Sequence, residues 1–151
     1  LAPFQRPLPA QDPQVQPYLS WQQDYTYDID LRVALTAANT DDVLEITRSN
    51  FQYLYWSMHQ QLAHHTVSGC NVRVGDLLAS GTISGPEETS RGCLLELSWR
   101  GAEPLELPGG EKRVFLEDGD RVTMTGWCQG ADYRVGFGEV TAKLLPARTA
   151  E

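Results

Sequence analysis

Tyr25-Thr26-Tyr27-Asp28-Ile29-Asp30-Leu31-Arg32-Val33-Ala34-Leu35 is the stretch that decides the fold. Ile29, Leu31, Val33 and Leu35 alternate with Asp28, Asp30, Arg32 and Ala34, the period of two that a half-buried strand requires. Ala38-Asn39-Thr40-Asp41-Asp42 reads as a turn, and Val43–Arg48 is predicted to pair back as a hairpin. Upstream, Pro3, Pro7, Pro9, Pro13 and Pro17 recur without a period. Residues 1–24 are therefore expected to be an extended arm with neither helix nor central strand, ahead of a folded body over 25–151.

Downstream of the hairpin the period changes. Phe51, Leu54, Tyr55, Met58, Leu62 and His65 follow helical spacing and predict one principal helix over about residues 49–66, with Ser49 as N-cap and Gly69 as terminator. Beyond it, strands are expected at Asp76–Ser80, Leu94–Trp99, Leu105–Leu107, Val114–Leu116, Arg121–Trp127 and Arg134–Leu145. Gly81, Gly85-Pro86, Gly101, Gly109-Gly110 and Asp118-Gly119-Asp120 punctuate them. The fold class is mixed α/β and β-rich, with one helix.

Composition narrows the function. The 12 basic and 20 acidic side chains give a net charge of −8, a surface that repels nucleic acid and anionic membranes. The apolar stretches are too short to span a bilayer. The first residues, Leu1-Ala2-Pro3-Phe4, carry no targeting pattern and read as a chain that begins mid-protein. Cys70, Cys93 and Cys128 form an odd set with no C-x-x-C pair, which suits thiols packed as small apolar residues in a reducing, cytosolic setting.

Most candidate chemistry has a bland counterpart. His59, His64 and His65 diverge on a helix and contain no H-E-x-x-H, so a structural role is preferred for them. Gly81-Thr82-Ile83-Ser84-Gly85 is not a nucleophile elbow, because Ser84 sits in the fourth position and no helix follows. Gly136-Phe137-Gly138 lacks the third glycine of a nucleotide fingerprint. Cys93 has no base at a telling spacing. The carboxylate pairs Asp28/Asp30, Asp118/Asp120 and Glu87/Glu88 read as solvated faces or turns. Glu96 is more pointed, a single carboxylate in Leu94-Leu95-Glu96-Leu97-Ser98-Trp99. Buried, it would be a desolvated and functional acid; turned outward, it would be the polar side of an amphipathic strand. Pattern alone leaves both readings open.

Longer runs of residues carry a resemblance. Tyr25–Ile29, Arg48-Ser49-Asn50-Phe51, Tyr55-Trp56, Gln60-Gln61-Leu62-Ala63-His64-His65, Gly69-Cys70-Asn71 and Gly75-Asp76-Leu77-Leu78-Ala79-Ser80-Gly81-Thr82-Ile83-Ser84-Gly85 closely resemble the fumarylacetoacetase family. Leu95–Trp99, Asp118-Gly119-Asp120, Cys128-Gln129-Gly130 and Tyr133–Gly138 continue it in order. Where the wider superfamily has a proline, this chain has Ile83, followed by the insert Pro86–Gly92, a departure typical of fumarylacetoacetase proper.

The resemblance implies a homodimeric cytoplasmic hydrolase with a mixed β-roll. It would cleave the carbon–carbon bond of 4-fumarylacetoacetate to fumarate and acetoacetate, the last step of tyrosine breakdown. It implies Mg²⁺ or Ca²⁺ as Lewis acid, a histidine general base and a glutamate that orients it. Residue by residue, Glu96 matches that glutamate and Thr82 matches a threonine whose hydroxyl contacts substrate. No metal ligand is assigned within this chain. The catalytic histidine and the metal carboxylates are expected in an upstream half of the same enzyme, so the chain alone is expected to be inactive. Two alternatives stand beside this one: a non-catalytic truncated paralogue or assembly module, and a relative acting on another acylpyruvate or diketone.

Overall fold

The computed structural model describes residues 1–22 and 24–148. Its centre is a four-stranded antiparallel sheet. β3 (Asp30–Thr36) pairs on one side with β4 (Val43–Asn50) and on the other with β7 (Arg121–Gln129), which carries β8 (Arg134–Lys143) at the far edge. β1 (Gln5–Pro7) pairs with β2 (Tyr25–Tyr27), and β5 (Leu105–Glu106) with β6 (Lys112–Arg113). Together with one principal helix this is the expected mixed, strand-rich class, and the predicted hairpin over residues 29–48 is present.

Two small apolar clusters flank the sheet. Phe4, Ile29 and Cys128 form one, joined by Tyr27, Leu31 and Phe51; Leu35, Ala37 and Leu107 form the other, joined by Leu44, Ile46 and Val122. Trp127 on β7 lies between the guanidinium groups of Arg32 and Arg134, each 4.7 Å from its ring. Such a stack lets two cations shelter an aromatic face. Among the described residues no helix is long and apolar enough to cross a membrane.

Several expectations need correction. The principal helix α1 spans Met58–Val67, not 49–66. Ser49 belongs to β4, and Phe51–Tyr53 is a single 3₁₀ turn. The N-cap is Ser57, whose Oγ accepts from Gln60 N while Gln60 Oε1 accepts from Ser57 N, a reciprocal capping box. The terminator at Gly69 holds, with φ +87° just past the last turn.

The described residues among 1–24 are more structured than an extended arm. Ala2–Phe4 and Pro17–Leu19 form 3₁₀ turns with proline in the first turn, where its missing N–H costs nothing. Phe4 and Leu19 are buried. Of the downstream strands, Asp76–Ser80 is irregular and Leu94–Leu97 is a helical turn, α2. The strand predicted at Val114–Leu116 falls instead on Lys112–Arg113. Only Cys128 packs as a core thiol: Cys93 is half-buried and Cys70 exposed.

Candidate functional site

The site is built on β4. Alternation places the hydroxyls of Thr47 and Ser49 on one face of the strand, and both are buried. Thr47 Oγ1 donates to Arg91 O, and Ser49 Oγ donates to Ile83 O at 2.7 Å. These two contacts pin both limbs of the loop from Gly81 to Gly92 against the sheet. Gly85 N donates to Ser90 O at 2.9 Å and closes the loop's base. Gly92 is needed for its size: a Cβ there would sit 2.9 Å from the backbone of Ile83.

Glu96 closes the arrangement. It lies in the first turn of α2 and reaches back, so that Oε2 accepts from Ser84 Oγ at 2.6 Å and from Gly92 N at 2.9 Å, with Cys93 Sγ at 3.7 Å. Gly92 N also donates to Ser84 Oγ at 3.0 Å. A carboxylate in the first turn of a helix that accepts from an amide just ahead of it stabilises the helical return. This explains why Leu94–Leu97 coils where a strand is expected: the Glu96 carboxylate rewards the helical return.

Glu96 is exposed, not a desolvated acid. Ser84's hydrogen bond holds its carboxyl below the ordinary range; partial burial opposes this and the Gly92 amide adds to it. The carboxylate is therefore ionised and held in place near neutrality.

Thr82 is exposed on the same loop, one residue after Gly81, whose φ is +79°. Thr82, Ile83 and Ser84 line a cleft of about 420 Å³ with Tyr53, Tyr55 and Trp56. Ser84 is thus the link: its residue lines the Thr82 cleft and its hydroxyl holds Glu96. Sequence reasoning dismissed Ser84 as a nucleophile but did not see it as a partner for Glu96. The buried hydroxyls Thr47 and Ser49 were missed as well, and their period-two spacing on an already predicted strand is the signal that could have found them.

The remaining candidates fall elsewhere. His59 Nδ1 lies 3.1 Å from Asp24 Oδ1, with the ring between Trp21 and Tyr25. His64 Nδ1 meets the Tyr18 hydroxyl at 3.0 Å, and His65 Nε2 meets Cys70 Sγ at 3.2 Å. Asp28 pairs with Arg6 and accepts from Asn50. Asp120 is not a solvated turn residue: it is fully buried against Arg113. Among the described residues no three His, Cys, Asp or Glu side chains converge, so these residues do not by themselves fit a divalent cation.

Comparison with known proteins places the chain in a family. The family model described as "Fumarylacetoacetate (FAA) hydrolase C-terminal" matches residues 10–144. Proteins named fumarylacetoacetase are similar to the chain over 147 residues: 57% identical from Bos taurus, 54% from Homo sapiens and 56% from Arabidopsis thaliana. Each alignment covers 97% of this chain, which spans 35% of the length of those relatives. With the family model matched over most of its residues and such identities across nearly all of it, the chain belongs to the fumarylacetoacetate hydrolase family.

Proposed function

We propose that this chain forms part of the active site of an enzyme that hydrolyses the carbon–carbon bond of 4-fumarylacetoacetate to fumarate and acetoacetate. In this reading residues 25–151 are the C-terminal portion of the catalytic domain of a cytoplasmic homodimer. The general-base histidine and the donors for Mg²⁺ or Ca²⁺ come from outside the described residues. The cation would supply Lewis-acid stabilisation of the enolate leaving group.

The observation that carries the proposal is the convergence of Ser84 Oγ and Gly92 N on one oxygen of Glu96. A carboxylate held by two donors on Oε2 offers Oε1 to an imidazole N–H. That contact fixes the ring's tautomer and orientation, so that its other nitrogen can take a proton from water. Glu96 is thus a positioning residue. Thr82 is the substrate-contact residue, presented by a glycine turn at a cleft large enough for a small diketo acid.

The test is turnover of fumarylacetoacetate with Mg²⁺ by a full-length protein carrying this segment, before and after Glu96→Gln. The amide keeps an acceptor for Ser84 but no longer stabilises an imidazolium. A fall in kcat of about 100-fold, with KM and circular dichroism little changed, is expected from losing such an orienting partner. Turnover near the starting value would remove Glu96 from the mechanism. A full-length protein with no turnover on any acylpyruvate or diketone would favour a non-catalytic module.

A further inference from the structure

The loop after α1 brings together two groups that the hydrolase reading leaves unused. Gly69, with φ +87° and its N–H donated to Thr66 O, turns the chain back beneath the last helical turn. Cys70 follows at once, and its Sγ lies 3.2 Å from His65 Nε2. Both residues are exposed. His65 also lines a cleft of about 720 Å³ whose walls include Phe51, Met58, Leu62 and Leu78. This cleft adjoins the Thr82 cleft, with Gln61 and Ser80 common to both. A thiol, a base in contact with it and an apolar cavity beside the base are the parts of a site that captures soft electrophiles.

We propose that Cys70 is a covalent modification site for α,β-unsaturated carbonyl compounds, with His65 as the base and the adjoining apolar cleft as the binding surface. As the sulfur–carbon bond forms at the β-carbon, His65 Nε2 takes the thiol proton. The electron pair of the carbon–carbon double bond moves toward the carbonyl as an enolate, and the imidazolium returns the proton to the α-carbon. The product is a thioether, and no oxidant or reductant is consumed. The choice of electrophile rests on the hydrolase reading, since a fumaryl group is such an acceptor, whereas the reactivity of the pair does not.

The two readings have separate measurements. The protein is treated with limiting N-ethylmaleimide, and adducts at Cys70, Cys93 and Cys128 are followed over time by peptide mass spectrometry. Cys93 is the internal reference because its Sγ contacts the Glu96 carboxylate at 3.7 Å instead of an imidazole. Cys70 is expected to react about tenfold faster than Cys93 in the folded protein, and the ratio to fall toward unity in urea. His65→Gln is expected to slow Cys70 about tenfold while leaving Cys93 unchanged. Equal native rates at the two cysteines, or a Cys70 rate indifferent to His65→Gln, would overturn the proposal. A second variant, His65→Asn, guards against misfolding of the first and carries the same two outcomes. Turnover of fumarylacetoacetate is unaffected by either result, so failure here leaves the hydrolase reading to its own assay.

Discussion

A single hydroxyl decides the electrostatics of the site. Ser84 makes the largest contribution to lowering the Glu96 carboxyl, ahead of the opposing effect of burial. Ser84→Ala removes that donor and leaves burial to act, so Glu96 should titrate at higher pH than in the unaltered protein. The direction can be read by following the Glu96 side-chain carbon in NMR titrations of both proteins; a Glu96 that titrates unchanged would show that Gly92 N holds it alone. Thr82 is a different kind of residue, exposed and free of a burial role. Thr82→Val should therefore raise KM by several-fold, the loss of about one hydrogen bond, while thermal stability shifts little. Unchanged kinetics would end its assignment as a substrate contact.

At the scale of elements, what could be read in the sequence depended on whether a signal was local and periodic. The β3–β4 hairpin and β7 announce themselves by alternation and were found close to their bounds. The principal helix was found but its start was displaced, because Phe51, Leu54 and Tyr55 continue its apolar spacing backward while the chain is still in a 3₁₀ turn. The capping box settles the matter, since Ser57 and Gln60 satisfy two amides that a helix begun at Ser49 would not need. Ser57 Oγ also donates to Asp24 Oδ2 at 2.7 Å, and Gln60 exchanges bonds with Gln11, so the cap ties the Pro-rich segment to the helix. Ser57→Ala should cost about 1–2 kcal/mol, because the cap is buried and Asp24 loses a donor with it. Chemical denaturation would check this, and a cost under a few tenths would show that Gln60 caps the helix unaided. The helical turn that carries Glu96 escaped for the opposite reason. Leu94–Leu97 coils because of a contact to Gly92 and Ser84, and apolar spacing alone carries no trace of it.

Over the described residues, the buried apolar groups are few and all but Leu19 sit in two separate clusters, while β8 is exposed along all ten residues. Polar tethers then matter more than usual for cohesion, and the buried Asp120 is one of them. Arg113 Nε and Nη2 donate to its two carboxylate oxygens at 3.0 and 3.1 Å, and Glu117 N donates to Oδ2 at 2.9 Å. Its backbone carbonyl accepts from Leu144 N at 2.8 Å, joining the start of β7 to the end of β8. Burial by itself would push the Asp120 carboxyl up, but Arg113 and the Glu117 amide outweigh it and hold the group below the ordinary value of 3.8. The same pair drives the Arg113 guanidinium upward, with the Asp120 hydrogen bonds as the leading cause. A carboxyl lowered by folding stabilises the fold fully above its unfolded value and loses that effect as pH falls through its folded value. Asp120→Asn should thus destabilise the protein by about 3–5 kcal/mol at neutral pH, leaving Arg113 buried beside a neutral amide. The gap between the two proteins should hold down to about pH 4 and close below it, where the carboxyl of the unaltered protein also becomes neutral. Urea unfolding at pH 7, 4 and 2.5 would trace the gap. A difference that stays constant through that range would mean that geometry at Asp120, not its charge, joins the strands.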